Sequence, residues 1–290
     1  MQHHSQNEQS ITVCRRRTVG DVCCDCRWLT DAAGDVSVLC VVVKLHGVAK
    51  LRNVVYVVCS MSSRILRFST RTHKQLAGID VRNLRCPFDI VACEQTSQLY
   101  VADCGRCIWL VSSNGRYIRW LSVFNLWTLS LTSACLLVTL KNTSQLIQFS
   151  ADGDELRCVQ LPLDMRPQHA VESPAGTFIV GHDKHVSEVD AGGKVLRQFT
   201  RSHLLSLSYA IHIAVDSCGN IFVADCRDDV RRTGCILLLD KHLSLRCVIS
   251  DKLQFLKLTF PVSLCYIEQS RQLVVGFSFG KVVAFKVLCW

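Results

Sequence analysis

"HIAVDSCGNIFVAD", residues 212–225, decides the fold. Ile213 and Val215 alternate with their neighbours, Asp216-Ser217-Cys218-Gly219-Asn220 turns the chain, and Ile221 and Val223 resume the alternation. Period-two apolar spacing on both sides of a Gly-Asn turn marks a β-hairpin. "ILLLD" (236–240) then supplies a third strand. The second strand stops on Asp225, and looser copies of the same plan return along the chain.

"FDIVACEQTSQLYVADCGRCIWLVSSNGRYIRWL" (88–121) is the clearest of them, with an apolar strand, a polar turn, "LYVAD", "CIWLV", the turn "SSNGR" and a fourth strand. Segments 46–79, 128–161, 169–199 and 263–288 follow the same order. The middle of the second strand falls at Tyr56, Tyr100, Leu137, Phe178, Phe222 and Val274, at intervals of 44, 37, 41, 44 and 52 residues. That period belongs to a four-stranded propeller blade, and turns such as "ADGDE" and "DAGGK" suit its hairpins. A helical solenoid would show 3.6-residue apolar spacing instead. A sandwich would not explain six copies of one unit. The sixth unit reaches Trp290 after only three strands, while "DVSVLCVVV" (35–43) precedes the first unit unassigned. A ring leaves no free sheet edge, so this segment is expected to complete the last blade. The expected fold is all-β, a six-bladed β-propeller of four-stranded blades over residues 35–290, closed by an N-terminal strand. Residues 1–34 form a polar, Cys-containing tail.

The composition agrees. Of 290 residues, 49% are hydrophobic and 20% charged, enough to build a large core, and only 5 Pro and 15 Gly leave little room for linkers. "MQHHSQNEQS" is polar and no signal-like apolar run follows it. The most apolar windows, 36–45 and 126–140, are shorter than the roughly 20 residues of a membrane helix. A soluble, cytoplasmic protein without membrane contact is the expectation. Many of the 18 cysteines alternate with aliphatic residues (Cys40, Cys59, Cys93, Cys135, Cys265), as reduced core thiols do. "CCDC" (23–26), with Cys14 upstream, has no second ligand pair at zinc-finger spacing, and Cys104/Cys107 make only half a zinc site.

"HIAVDSCGNIFVAD" with "ILLLD", and "DIVACEQTSQLYVAD", resemble the NHL repeat, the unit of six-bladed propellers that form the C-terminal recognition domain of tripartite-motif ubiquitin ligases and their relatives. The other four units are degenerate. The loop "CRDDVRRTGC" (226–235) is longer than the family pattern. In such units Asp216, Asp103 and Asp225 read as loop clamps, since a strand-ending Asp bonds nearby backbone N–H groups. The resemblance implies a recognition module. Ligase chemistry needs RING and B-box zinc modules, which residues 1–34 are too short to hold.

Loops between second and third strands share one rim with the blade-linking loops. This rim carries Arg64, Arg106, Lys141, Lys184, Arg227, Arg231, Arg232 and Lys281, joined by Arg82, Arg85, Arg166, Arg201, Lys252 and Lys257. The opposite rim is acidic, with Glu94, Glu172, Asp216 and Glu268 among its residues. The formal charge of +9 is thus segregated by face. A protein or peptide partner is the leading reading of the basic rim. Single-stranded or hairpin RNA is the alternative, although few aromatics beyond Phe277 and Phe279 are expected there. No G-x-S-x-G, H-E-x-x-H or phosphate-loop pattern occurs, so no enzyme class has motif support. Six-bladed propellers do include metal-dependent lactonases and a lyase. Aligning first strands places His46, Asp89, Thr128, His169, His212 and Ser263 in one polar collar around the channel. The leading reading gives it no cofactor; the alternative is zinc or calcium, with His46, His169 and His212 as ligands.

Overall fold

A computed structural model describes residues 28–30, 36–40, 44–72, 74–104, 106–133, 136–183, 185–200, 210–225, 234–249 and 260–287. Six antiparallel sheets form the blades of a ring. Their inner strands are Leu45–Leu51, Pro87–Cys93, Leu126–Leu131, Pro167–Glu172, Ala210–Val215 and Pro261–Ile267, which define blades one to six. The second strands are Val54–Cys59, Gln98–Asp103, Leu136–Leu140, Phe178–His182, Ile221–Asp225 and Gln272–Phe277. The third are Arg64–Ser69, Cys107–Ser112, Gln145–Phe149, His185–Val189, Cys235–Leu239 and Lys281–Lys286. Outer strands Gln75–Asp80, Tyr117–Ser122, Glu155–Gln160, Val195–Thr200 and Leu245–Val248 complete blades one to five. Inner strands touch their neighbours around the ring, the last against the first.

The burial pattern follows from this stacking. Every second strand is buried along nearly its whole length, because a neighbouring blade covers each of its faces. Such strands read as continuous apolar runs, whereas the outer strands keep one or both faces in water. Tyr56, Tyr100, Phe178 and Phe222 are among the largest fully buried side chains, so the core lies between blades. Cys59, Cys93, Cys107 and Cys235 are buried within it.

Blade six is completed by the N-terminal strand Val36–Cys40, which pairs antiparallel with Lys281–Lys286 from Val36↔Phe285 to Cys40↔Lys281. A further strand, Trp28–Thr30, pairs with Val36–Cys40 and makes this sheet five-stranded. It falls in the segment set apart above as a tail. Residues 1–27, with the "CCDC" cluster, lie outside the described residues. Among the described residues, no helix is long and apolar enough to cross a membrane.

The turns explain the recurring Asp. Asp216 Oδ1 accepts from the amides of Cys218 (3.0 Å) and Asn220 (2.7 Å), and Oδ2 from Asn220 Nδ2 (2.8 Å). Asp190 and Asp240 close the third hairpins of their blades the same way. Asp103 instead reaches back to the blade-linking loop, accepting from the amides of Arg85 and Cys86 and from Trp109 Nε1.

Candidate functional site

Strand register fixes the channel collar. Each inner strand bulges by one residue near its start, after which Asp89 pairs with Ala102, Thr128 with Thr139, His169 with Gly181, His212 with Ala224 and Ser263 with Gly276. In blade one the equivalent residue is Gly47, paired with Val58, and not His46. His46 is the extra bulge residue, equivalent to Phe88, Trp127, Gln168 and Val262. It is half-buried, with Nδ1 3.2 Å from the Pro87 carbonyl, and burial lowers its pKa. In blade one alone, one residue of bulge separates the alignment drawn from sequence from the true one; the other five positions agree.

The collar side chains stitch successive blades together. Asp89 Oδ2 accepts from the Leu129 amide (2.8 Å), His169 Nδ1 from Ile213 (3.3 Å), His212 Nδ1 from Leu264 (3.3 Å) and Ser263 Oγ from Val48 (3.1 Å). In each case the donor belongs to the next blade, one position past its own collar residue. Thr128 donates its hydroxyl to the Gln168 carbonyl of the next blade (2.8 Å). Gly47 has no side chain to give, and a Cβ there would meet the Ile90 nitrogen at 2.9 Å. Asp89 covers that gap by accepting from the Ile90 amide with Oδ1 (2.9 Å).

These bonds also set the chemistry of the two buried histidines. A ring nitrogen that accepts from an amide carries no hydrogen, so each imidazole is neutral with its proton on Nε2. His169 Nε2–H donates to the Leu129 carbonyl (3.1 Å). Among the described residues His212 Nε2 is buried without a hydrogen-bond partner, 3.7 Å from Asp89 Oδ1. The rings stack at 3.7 Å, and burial, with His212 alongside, holds the His169 pKa well below its ordinary value. Asp89, His169 and His212 have ligand-type atoms within 4.8 Å of one another. This donor set does not fit a zinc centre as arranged. Zinc takes the lone pair of a neutral imidazole nitrogen, and the free faces here present N–H instead.

Toward the acidic rim the channel holds a cavity of about 350 Å³, with Glu94, Glu172 and Glu268 at its wall. These carboxylates cap first hairpins of the preceding blades, accepting from the amides of Arg52 (3.4 Å), Ser133 (2.7 Å) and Ser217 (3.2 Å). Cys104 and Cys107 lie on the other rim. Burial and Asp103 push the Cys104 thiol up to about 11 and raise Cys107 as well, the opposite of a metal-binding or nucleophilic pair.

On the rim read as basic, Arg64 and Arg106 are exposed, and Arg64 lies 3.6 Å from Asp80. Lys141 sits with Nζ 4.2 Å over the Trp127 ring and donates to Gln168 Oε1 (3.3 Å). Lys281 is half-buried at the start of its strand. Lys184, Arg227, Arg231 and Arg232 lie outside the described residues. Phe277 is 4% exposed, a core residue at the end of its strand rather than a rim aromatic. Of the apolar side chains that do project, sequence reasoning named Phe279 and missed Leu163, Met61 and Phe124. Leu163 (86% exposed), Met61 (83%), Phe124 (78%) and Phe279 (70%) all sit in loops of this rim. They are the most exposed of the large hydrophobic residues identified. Their signal in the sequence is a large apolar residue inside a loop that no alternation explains.

No family model matches the chain, and no curated protein matches it. Solved structures similar to it include a lyase, a WD40 β-propeller domain and a synthase. Virginiamycin B lyase from Staphylococcus aureus aligns with TM-score 0.64 at 9% identity, covering 93% of this chain and 98% of that one. The WD40 β-propeller domain of Doa1 aligns at 0.60 and 15% identity, covering 84% and 93%. Hydrazine synthase from Kuenenia stuttgartiensis aligns at 0.58 and 15% identity, covering 90% and 92%. Identities this low carry the fold alone.

Proposed function

We propose that this protein is a non-catalytic recognition propeller that binds a protein or peptide on the rim of second-to-third and blade-linking loops. One observation carries the reading: Met61, Phe124, Leu163 and Phe279 project from the same rim as Arg64, Arg82, Arg85, Arg106 and Arg166. Exposed apolar anchors set among arginines are the composition of a binding surface. The repeated Asp-clamped unit, which resembles the NHL repeat, suits a rigid platform for such loops. The lyase-type alternative finds less support, because Asp89, His169, His212 and Ser263 each commit an oxygen or the basic ring nitrogen to a bond with the next blade. RNA is also the weaker fit, since Met61 and Leu163 offer no planar face for bases to stack on.

Selection of a random displayed peptide library on the full-length protein tests this. Enriched peptides are expected to lose about tenfold or more in affinity to the variant Met61→Ser/Phe124→Ser/Leu163→Ser/Phe279→Ser. They should bind Leu156→Ser/Leu196→Ser, changed at exposed outer-strand positions, as they bind the parent. Peptides indifferent to the rim variant, or no enrichment at all, would overturn the reading.

A further inference from the structure

The rim is not uniform around the ring. On blade two a cavity of about 790 Å³ is lined by Arg85, Arg106 and Arg119, with Asp103 and Trp109. Arg85 comes from the link with blade one, Arg106 from the loop between second and third strands, and Arg119 from the outer strand. All three are exposed, and among the described residues none makes an ion pair. The one carboxylate of the cavity is 3% exposed. Its oxygens accept from the Arg85 and Cys86 amides and the Trp109 indole, while Arg119 lies beside the neutral Cys107 thiol. Three planar cations therefore face one space without a protein anion to occupy them.

We propose that this cavity receives a phosphoryl group carried on a peptide. The inference rests on the reading of this rim as a peptide-binding face. A carboxylate has two oxygens and one charge, too few for three forked donors. A phosphate monoester carries close to two charges at neutral pH and three strong acceptor oxygens, and it matches the set. An apolar contact stands beside it: the Arg106 carbonyl accepts from the Val123 amide at 2.9 Å, and the next residue is the exposed Phe124. The preferred ligand is thus a phosphorylated residue with a large apolar residue close by in sequence. A localised three-arginine cavity, with Phe124 one residue beyond the Val123–Arg106 backbone bond and aliphatic Leu163 and Met61 elsewhere on the rim, suits a peptide better than a nucleic-acid strand. A strand asks for an extended track of cations and stacking rings.

The test uses the full chain and two degenerate peptide libraries, identical except that one carries a fixed central phosphoserine and the other serine. The phosphorylated library is expected to be enriched, and each selected peptide to bind about tenfold or more weakly without its phosphate. Arg106→Gln alone should cost about tenfold. The triple variant Arg85→Gln/Arg106→Gln/Arg119→Gln should abolish the preference for phosphate, with its melting temperature checked against the parent. Arg116→Gln, at the opposite end of the same blade, should change nothing. Equal binding of both libraries, or a phosphate preference that survives in the triple variant, overturns the proposal. If the selection then still depends on Phe124 and Leu163, the rim reading stands without it. Loss of enrichment in both libraries removes both readings. A single-stranded RNA decamer that binds through these arginines while no peptide is enriched overturns the peptide in favour of nucleic acid.

Discussion

His169 and His182 are bases kept neutral by burial. Burial, then the neighbouring His185, pushes the His182 pKa to about 4, and His169 lies well below its ordinary value. In the unfolded chain both titrate near ~6.5. Below that pH the unfolded state takes up protons that the native state refuses, so stability present above about pH 6.5 is lost as the pH falls. For His182 the loss runs down to about pH 4. It amounts to on the order of 3 kcal/mol. Urea unfolding at pH 7, 6 and 5 should show midpoints falling steadily. His182→Gln, which keeps a partner for the Ser187 hydroxyl 2.8 Å away, should flatten that slope. Identical slopes for parent and variant would place the pH dependence elsewhere.

At the level of the element, hairpin turns and strand bulges do different work. The turn of "HIAVDSCGNIFVAD" is held by Asp216 through three hydrogen bonds, with Gly219 at φ +84° where a side chain would be strained. Asp216 is only 8% exposed, so its bonds are shielded from competing water. Asp216→Ala is expected to cost about 2 kcal/mol and Asp216→Asn distinctly less, because the amide oxygen still accepts. Chemical denaturation measures both. An alanine variant within about 0.5 kcal/mol of the parent would mean that the clamp does not hold the hairpin. The bulge acts on position rather than stability. By adding one residue to each inner strand it turns Asp89, Thr128, His169, His212 and Ser263 toward the next blade.

The molecule as a whole depends on joining its two ends. Leu45, Val57 and Phe68 of blade one pack with Ile267, Val274 and Val282 of blade six in one buried cluster. Gly276 makes the fit possible, since a Cβ there would meet Leu45 Cδ2 at 2.5 Å. Val36–Cys40 then seals the edge that Lys281–Lys286 would otherwise expose. Deleting residues 1–43 should therefore abolish cooperative unfolding. Deleting residues 1–34 should retain it, with lower stability and a tendency to associate through the uncovered edge of Val36–Cys40. Calorimetry and light scattering on the two truncations decide the matter; equal melting of both would sink the closure model.

The sequence by itself determined the blade count, the strand order and the closing strand. All three follow from the period of one local unit and from the need to leave no edge unpaired. It also located the Asp216 clamp, because an Asx turn bonds only to residues a few positions away. Five of the six collar positions were legible as well, while the blade-one position and the contacts of collar and rim were not, for physical reasons. Gly47 rather than His46 faces Asp89 and Ile90 because a bulge shifts the register by one, and a bulge leaves no mark in the period-two pattern of so short a strand. The stacking of His169 on His212 and the exposure of Phe124 and Leu163 are set by how neighbouring blades lie against each other. The convergence of Arg85, Arg106 and Arg119 on one cavity is set within blade two, by how its outer strand and its leading link lie over the loop between its second and third strands.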